Sequence, residues 1–352
     1  MSRTYSAWSR PLWQRVLLTR EAAVIALLVV VWLYARAEVL HFDGPLTLPY
    51  LLLDTAPILL IAFPMTLVIV TGEIDLSVAS VVGLSSVLVG VLHQHGMSVP
   101  VAALIAVVAG AACGALNGFL VAYVGLPSLA VTIGTLALYR GIAVGLLGTT
   151  AVTDFPEKWT SLAKDRIADG PIPLVVIPIA LIGLGFAMLL HYTSFGRGIY
   201  DIGLNDEAAR FSGVNVERTK LVLFVLASTV SAFAGVFYTL RYGSARGDNA
   251  TGLELQVIAA VLLGGVSIFG GRGALHGVVA GVLLIGVISS ALRLENVTVN
   301  VISIIIGLLL VLSVVSGSFA GRLSGLVSRI RRSGSTPQPP ATVAGAHERE
   351  TV

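Results

Sequence analysis

Apolar stretches long enough to cross a bilayer recur through this chain, separated by short polar turns. A helix needs about 20 predominantly apolar residues to cross a hydrocarbon core of about 30 Å. Spans are expected near 22–35, 48–70, 76–92, 99–124, 129–147, 172–190, 221–240, 253–269, 275–292 and 297–315. The expected class is an all-α, polytopic integral membrane protein of about ten transmembrane helices. Of 352 residues, 56% are hydrophobic and 12% charged, and mean hydropathy is +0.91. Such a composition excludes a soluble domain.

Charge placement orients the spans. Residues 1–20 form a basic leader, with Arg3, Arg10, Arg15 and Arg20 around Trp8 and Trp13. Arg197, Arg210, Arg218, Lys220 and Arg272 fall in turns on the leader's side, and Arg322, Arg329, Arg331 and Arg332 lie in the tail. Arg36, Lys158, Lys164, Arg166, Arg241, Arg246 and Arg293 fall on the other side. A bias of about two to one is the positive-inside pattern, which puts both termini in the cytoplasm. The transmembrane domain is expected over 21–317. The tail, 318–352, is rich in Ser, Pro and Gly and is expected to be disordered. A pI near 9.1 then reports membrane orientation, not nucleic-acid binding. Cys113 is the one cysteine, so no disulfide can form within the chain. His93 and His95 flank Gln94 in a polar turn, and no metal site is expected.

Gly72-Glu73-Ile74-Asp75-Leu76-Ser77 sets two carboxylates between runs without charge. An acidic residue at the centre of a spanning helix costs about 2.5–3.5 kcal/mol on insertion scales. The stretch is therefore either a broken helix beside a polar pathway or a short cytoplasmic turn with solvated acids. Gly110, Gly114 and Gly118 repeat on one helix face and permit close packing, and Asn117 lies beside them. Arg140 either lines a pathway, pairs with a buried acid such as Asp75, or sits at an interface. Loop 149–171 faces outward, and Phe155 and Trp159 suit a short helix lying on the membrane. Gly72-Glu73-Ile74-Asp75 follows the second span and Gly252-Leu253-Glu254-Leu255 the seventh, the spacing of an inverted repeat.

Loop 191–220 is the longest cytoplasmic connection. Within it, Asn205 can cap a short helix carrying Asp206 and Glu207 in its first turn, and Gly213 can end it. A helix of about two turns is unstable alone and must dock on something. The chain carries no motor of its own. Its lysines are Lys158, Lys164 and Lys220, and none follows Gly as a phosphate-binding loop requires. Gly264-Gly265-Val266-Ser267-Ile268-Phe269-Gly270-Gly271-Arg272-Gly273 joins two apolar spans with no strand before it, so it is no dinucleotide fingerprint. No catalytic set recommends an enzyme.

Three stretches together resemble the permease subunits of ribose-type ATP-binding-cassette importers. Gly72 to Ser80 is similar to their Gly-Gly-Ile-Asp-Leu-Ser-Val-Gly-Ser signature, with Glu73 and Ala79 where the pattern has Gly. Gly203 to Val214 resembles their cytoplasmic Gly-x-Asn-x-x-Ala-Ala-x-x-Ser-Gly loop, and Gly264 to Gly273 their Gly-Gly-x-Ser-x-x-Gly-Gly-x-Gly segment. The resemblance covers about residues 45–317. Arg241 to Arg246 and Ala291-Leu292-Arg293 are most similar to permeases for rhamnose or autoinducer-2. The resemblance implies a bacterial inner-membrane sugar permease working as a homodimer, or as a heterodimer with a similar permease. It implies two ATPase subunits that hold the ATP and magnesium, this chain needing no cofactor, and an extracytoplasmic sugar-binding protein. It further implies that Gly203, Asn205, Asp206, Glu207, Ala208, Ala209, Arg210, Ser212 and Gly213 form the ATPase-coupling element. Gly72, Glu73, Gly264, Gly265, Gly270, Gly271 and Gly273 are then structural motif positions. Asp75, Ser77, Asn117, Thr132 and Thr135 are candidates for the translocation pathway or gate, their polar groups suiting a neutral sugar. The rival reading is an ion-coupled secondary transporter with Asp75 or Glu73 as proton carrier.

Overall fold

The computed structural model describes residues 19–315, and all its named elements are helical. Five helices are long and apolar enough to cross a membrane: α2 (Thr47–Val70), α4 (Val99–Ala122), α5 (Ser128–Leu147), α10 (Val216–Tyr242) and α12 (Leu275–Leu294). Helices α7 (Val176–Tyr192) and α8 (Ser194–Leu204) pass the same test as a pair, bent by 70°. Shorter apolar helices are α3 (Val78–Gln94), α11 (Leu253–Leu263) and α13 (Val299–Val315). With α1 (Arg20–Glu38), these occupy the expected spans in order, and the chain is an all-α polytopic membrane protein. The remaining helices are short: α6 (Glu157–Leu162), a 3-10 turn at Ile167–Asp169 and α9 (Asp206–Phe211). The basic leader's first 18 residues, the last residues assigned to the membrane domain and the tail lie outside the described residues.

Helix α2 is the centre of the bundle. Its sequence is apolar on every side, and a helix of that kind must be buried all round. It packs against α7, α10, α11 and α12, and its span is 89% buried. Helices α4 and α5 are the opposite case, each only 28% buried and presenting a broad apolar face.

The most extensive helix contact joins α4 to α10, and the glycine face of α4 explains it. A Cβ added at Gly114 would lie 2.8 Å from the Ser228 Cβ and from the Val225 Cα. One added at Gly118 would lie 2.9 Å from the Leu221 Cα. No side chain fits between these backbones.

The loop expected to rest on the membrane packs inward instead. Val152 and Phe155 are buried among Val89, Val99, Val236 and Leu240, and Trp159 packs against the same cluster. Val152 and Ala245 exchange backbone hydrogen bonds of 3.0 and 2.8 Å, which ties loop 149–171 to the segment after α10. In that segment Arg246 forks onto Asp248 at 2.9 and 3.0 Å, and the hydrogen bond draws the Asp248 carboxyl below its ordinary range.

Candidate functional site

The break between α2 and α3 is a closed hydrogen-bonded knot. Gly72 takes a φ of +84°, which turns the chain away from α2. Asp75 is fully buried, and its Oδ1 accepts from the Ser77 backbone N at 2.9 Å and the Ser77 Oγ at 2.6 Å. The Ser77 Oγ in turn accepts from Asn117 Nδ2 on α4 at 2.8 Å. Tyr139 on α5 donates to Asn117 Oδ1 at 3.2 Å. On the other side of the break the Ile74 N donates to the Ser128 Oγ, and Thr132 donates to the Ile74 carbonyl, both at 3.2 Å. The structure thus brings Asp75, Ser77, Asn117 and Thr132 together, each with no exposed surface. Thr135 stands one turn further along α5, bonded to the Val131 carbonyl. These groups bind three helices to one another.

Arg140 is held away from Asp75. Its Nη1 donates to the carbonyls of Gly247 and Asn249 at 2.9 and 2.7 Å, and its Nη2 to the Ala79 carbonyl at 3.2 Å. The guanidinium therefore anchors the connection after α10.

A second assembly unites the three glycine-bearing motifs. The Gly271 N donates to the Val70 carbonyl at the end of α2, at 2.8 Å. A Cβ at Gly203 would collide with that same carbonyl and with the Gly271 N. One at Gly270 would lie 2.8 Å from the Gly203 carbonyl and 3.0 Å from the Gly72 N. Nearby, Tyr200 on α8 donates to the Gly273 carbonyl at 2.8 Å. Gly264 packs equally tightly on α12, where an added Cβ would lie 2.6 Å from the Val278 Cα. Gly265 takes a φ of +96° beside Arg20 and Glu21.

Helix α9 extends from this junction. Asn205 caps it, its Oδ1 accepting from the Ala208 N at 2.9 Å. The Ser212 hydroxyl donates to the Ala208 carbonyl at 2.9 Å, and Gly213 leaves the helix with φ +87°. One face is buried: Ala209 packs with Ile202 and Val216. The other face displays Glu207, Ala208, Arg210 and Phe211, with Phe211 92% exposed. Lys220 ties the element down, its Nζ lying 2.6 Å from Asp206 Oδ2 and 2.7 Å from Glu73 Oε1.

The model for the family described as branched-chain amino acid transport system / permease component matches residues 47–314. The chain belongs to this family. Among its relatives, the autoinducer 2 import system permease protein LsrD of Yersinia enterocolitica is 36% identical over 267 residues, covering 74% of this chain and 80% of that protein. LsrD of Escherichia coli O157:H7 is 34% identical over 332 residues, covering 91% and 98%. No solved structure matches.

In this permease the two loops proposed as inverted copies lie at opposite ends of α10. Lys220, near the first turn of α10, holds Glu73, whereas Gly243 ends the helix and leads to Gly252. Helix α8 is an element the sequence reading omitted, because Gly196, Gly198 and Gly203 argue against a helix. Its signal was the buried pair Ile199 and Ile202, one turn apart.

Proposed function

We propose that this chain is the membrane-spanning permease subunit of an ATP-binding-cassette importer in a bacterial cytoplasmic membrane. Its cargo is a small hydroxylated solute handed over by an extracytoplasmic binding protein. The names of its relatives support import, and they favour autoinducer 2 over ribose or rhamnose as the cargo class.

The observation that carries the reading is α9. It has six residues, too few to be stable alone, yet it presents an almost fully exposed Phe211, and Leu204, at the end of α8 just before it, is 69% exposed. Exposed apolar groups on a rigid platform mark a contact site for another protein. The platform is rigid because Lys220 and the Gly203–Gly271–Val70 junction fasten it to the end of α2. A partner that grips α9 thereby moves the central helix of the bundle. The partner is an ATPase subunit, which holds ATP and magnesium. Two such subunits serve a pair of permeases, either two copies of this chain or this chain and a similar one. The binding protein docks at the opposite end, on loops 149–171 and 241–252, which the Val152–Ala245 bridge joins into one surface.

Replacing Glu207 and Arg210 with Ala tests the coupling role. Arg210 pairs with Glu217 at 2.6 Å, but both side chains are substantially exposed, so the pair adds about 0–1 kcal/mol to folding. The variant should fold and assemble while uptake falls about tenfold or more, equivalent to about 1.4 kcal/mol of lost contact. Unchanged uptake by an assembled complex would contradict the role.

The ion-coupled reading has one observation in its favour: Asp75 Oδ2 is buried without a hydrogen-bond partner. Asp75→Asn separates the two. An importer keeps ATP-driven uptake, because Asn retains an oxygen to accept from Ser77. A transporter with Asp75 as its proton carrier loses transport completely, and Glu73→Gln makes the same test at Glu73.

A further inference from the structure

A cavity of about 190 Å³ opens between α2, α10, α11 and α12, at the end of the bundle remote from α9. Asp54, Tyr238, Tyr242, Gln256, Ser289 and Arg293 are among the residues that line it. Its charges are arranged with care. Asp54 lies within α2, Arg241 in the last turn of α10 and Arg293 in the last turn of α12. Arg293 Nη1 donates to Asp54 Oδ2 at 2.8 Å, and Arg241 Nη2 approaches Asp54 Oδ1 at 3.4 Å. Arg241 is fixed by the rings of Tyr50 and Tyr242, each centroid 5.5 Å away, while Arg293 is 53% exposed. Asp54 thus faces both guanidiniums, Arg293 closely and Arg241 more loosely. Charged groups within spanning helices face a polar cavity or mark a solute path.

We propose that this cavity is a binding subsite for a small neutral polyol, lying inside one permease protomer. Its wall mixes acceptors, donors and groups that are both: the Asp54 carboxylate, the Arg293 guanidinium, the Gln256 amide and the serine and tyrosine hydroxyls. A solute with several hydroxyls satisfies such a set from both sides. An anion would meet Asp54, and a cation would meet Arg293. The size excludes drug-sized ligands, whose pockets run from about 300 Å³ upward. By contrast, Asp75, Ser77, Asn117 and Thr132 are sealed and largely spent on one another. The proposal rests on the importer reading only for the direction from which the solute arrives.

The test uses the full chain with its partners in spheroplasts, Cys113 replaced by Ser, and Ser290→Cys placed in the cavity wall. A membrane-impermeant thiol reagent is added outside, with or without ribose, rhamnose or glycerol. The expected result is labelling that at least one polyol slows severalfold, with the protection lost in Asp54→Asn. Thr251→Cys gives a second reporter if Ser290→Cys fails to fold. Labelling that no polyol slows would overturn the proposal. So would slowing by phosphate alone, or no labelling where Glu157→Cys on the outer loop reacts. Thiol protection does not require the ATPase, so a chain that lacks one but is protected keeps the subsite and loses the importer reading. An intact importer without protection does the reverse.

Discussion

Lys220 shows how much rests on one side chain. It is 11% exposed and bridges Glu73, 15% exposed, to Asp206, 42% exposed. Removing one partner of a fully buried ion pair costs about 3–5 kcal/mol. With Asp206 partly in solvent, a discount to about 1–3 kcal/mol is appropriate. Lys220→Met should lower the melting temperature of the purified protein in detergent, because Glu73 is left as an unpaired, mostly buried carboxylate. Adding Glu73→Gln should restore part of the loss. A double variant no more stable than the single one would show that the two charges are not coupled. Glu73 stands where the resembled pattern has Gly, and here it pairs with Lys220. Sequence alone could not reveal it, since Lys220 lies far along the chain near the start of α10.

At the level of elements, packing that depends on small residues was legible and packing that depends on irregular backbone was not. Gly110, Gly114 and Gly118 announce a close helix contact by spacing alone, and α4 meets α10 there. Gly114→Leu should abolish the folded protein, since its side chain would have to displace the Phe224 and Val225 backbone. A monodisperse peak at wild-type yield in size-exclusion chromatography would refute that. Asn205 and Gly213 likewise bracketed α9 correctly, because capping is a local matter. Helix α11 is different. Apolar residues run on to Phe269, but the helix stops at Leu263, where Gly264 presses on α12 and the following glycines turn the chain back to Val70. Hydropathy registers neither event. The same limit applies to Asp75, Ser77, Asn117 and Thr132. Their polarity marked them as neighbours worth watching, but only the fold reveals that they are tied to one another and buried.

For the whole molecule, the organising feature is a mechanical line through the bundle. It begins at the exposed face of α9, passes through the glycine junction and Lys220, and enters α2, the most buried helix. Toward the other end of α2, Asp54 sits beside a polar cavity. One helix thus connects the surface proposed for the ATPase with the surface proposed for the binding protein. The broad apolar faces of α4 and α5 remain for lipid or a second permease. The account stands on α9 being a seat for an ATPase, and the most direct measurement is partner identification. The tagged chain is drawn from its own cells in gentle detergent, and the proteins that accompany it are identified by mass spectrometry. The account predicts an ATP-binding subunit, held by the wild type and released when Phe211 is replaced by Asp. A stable chain that emerges with no ATPase, and that drives uptake from a proton gradient, would contradict it.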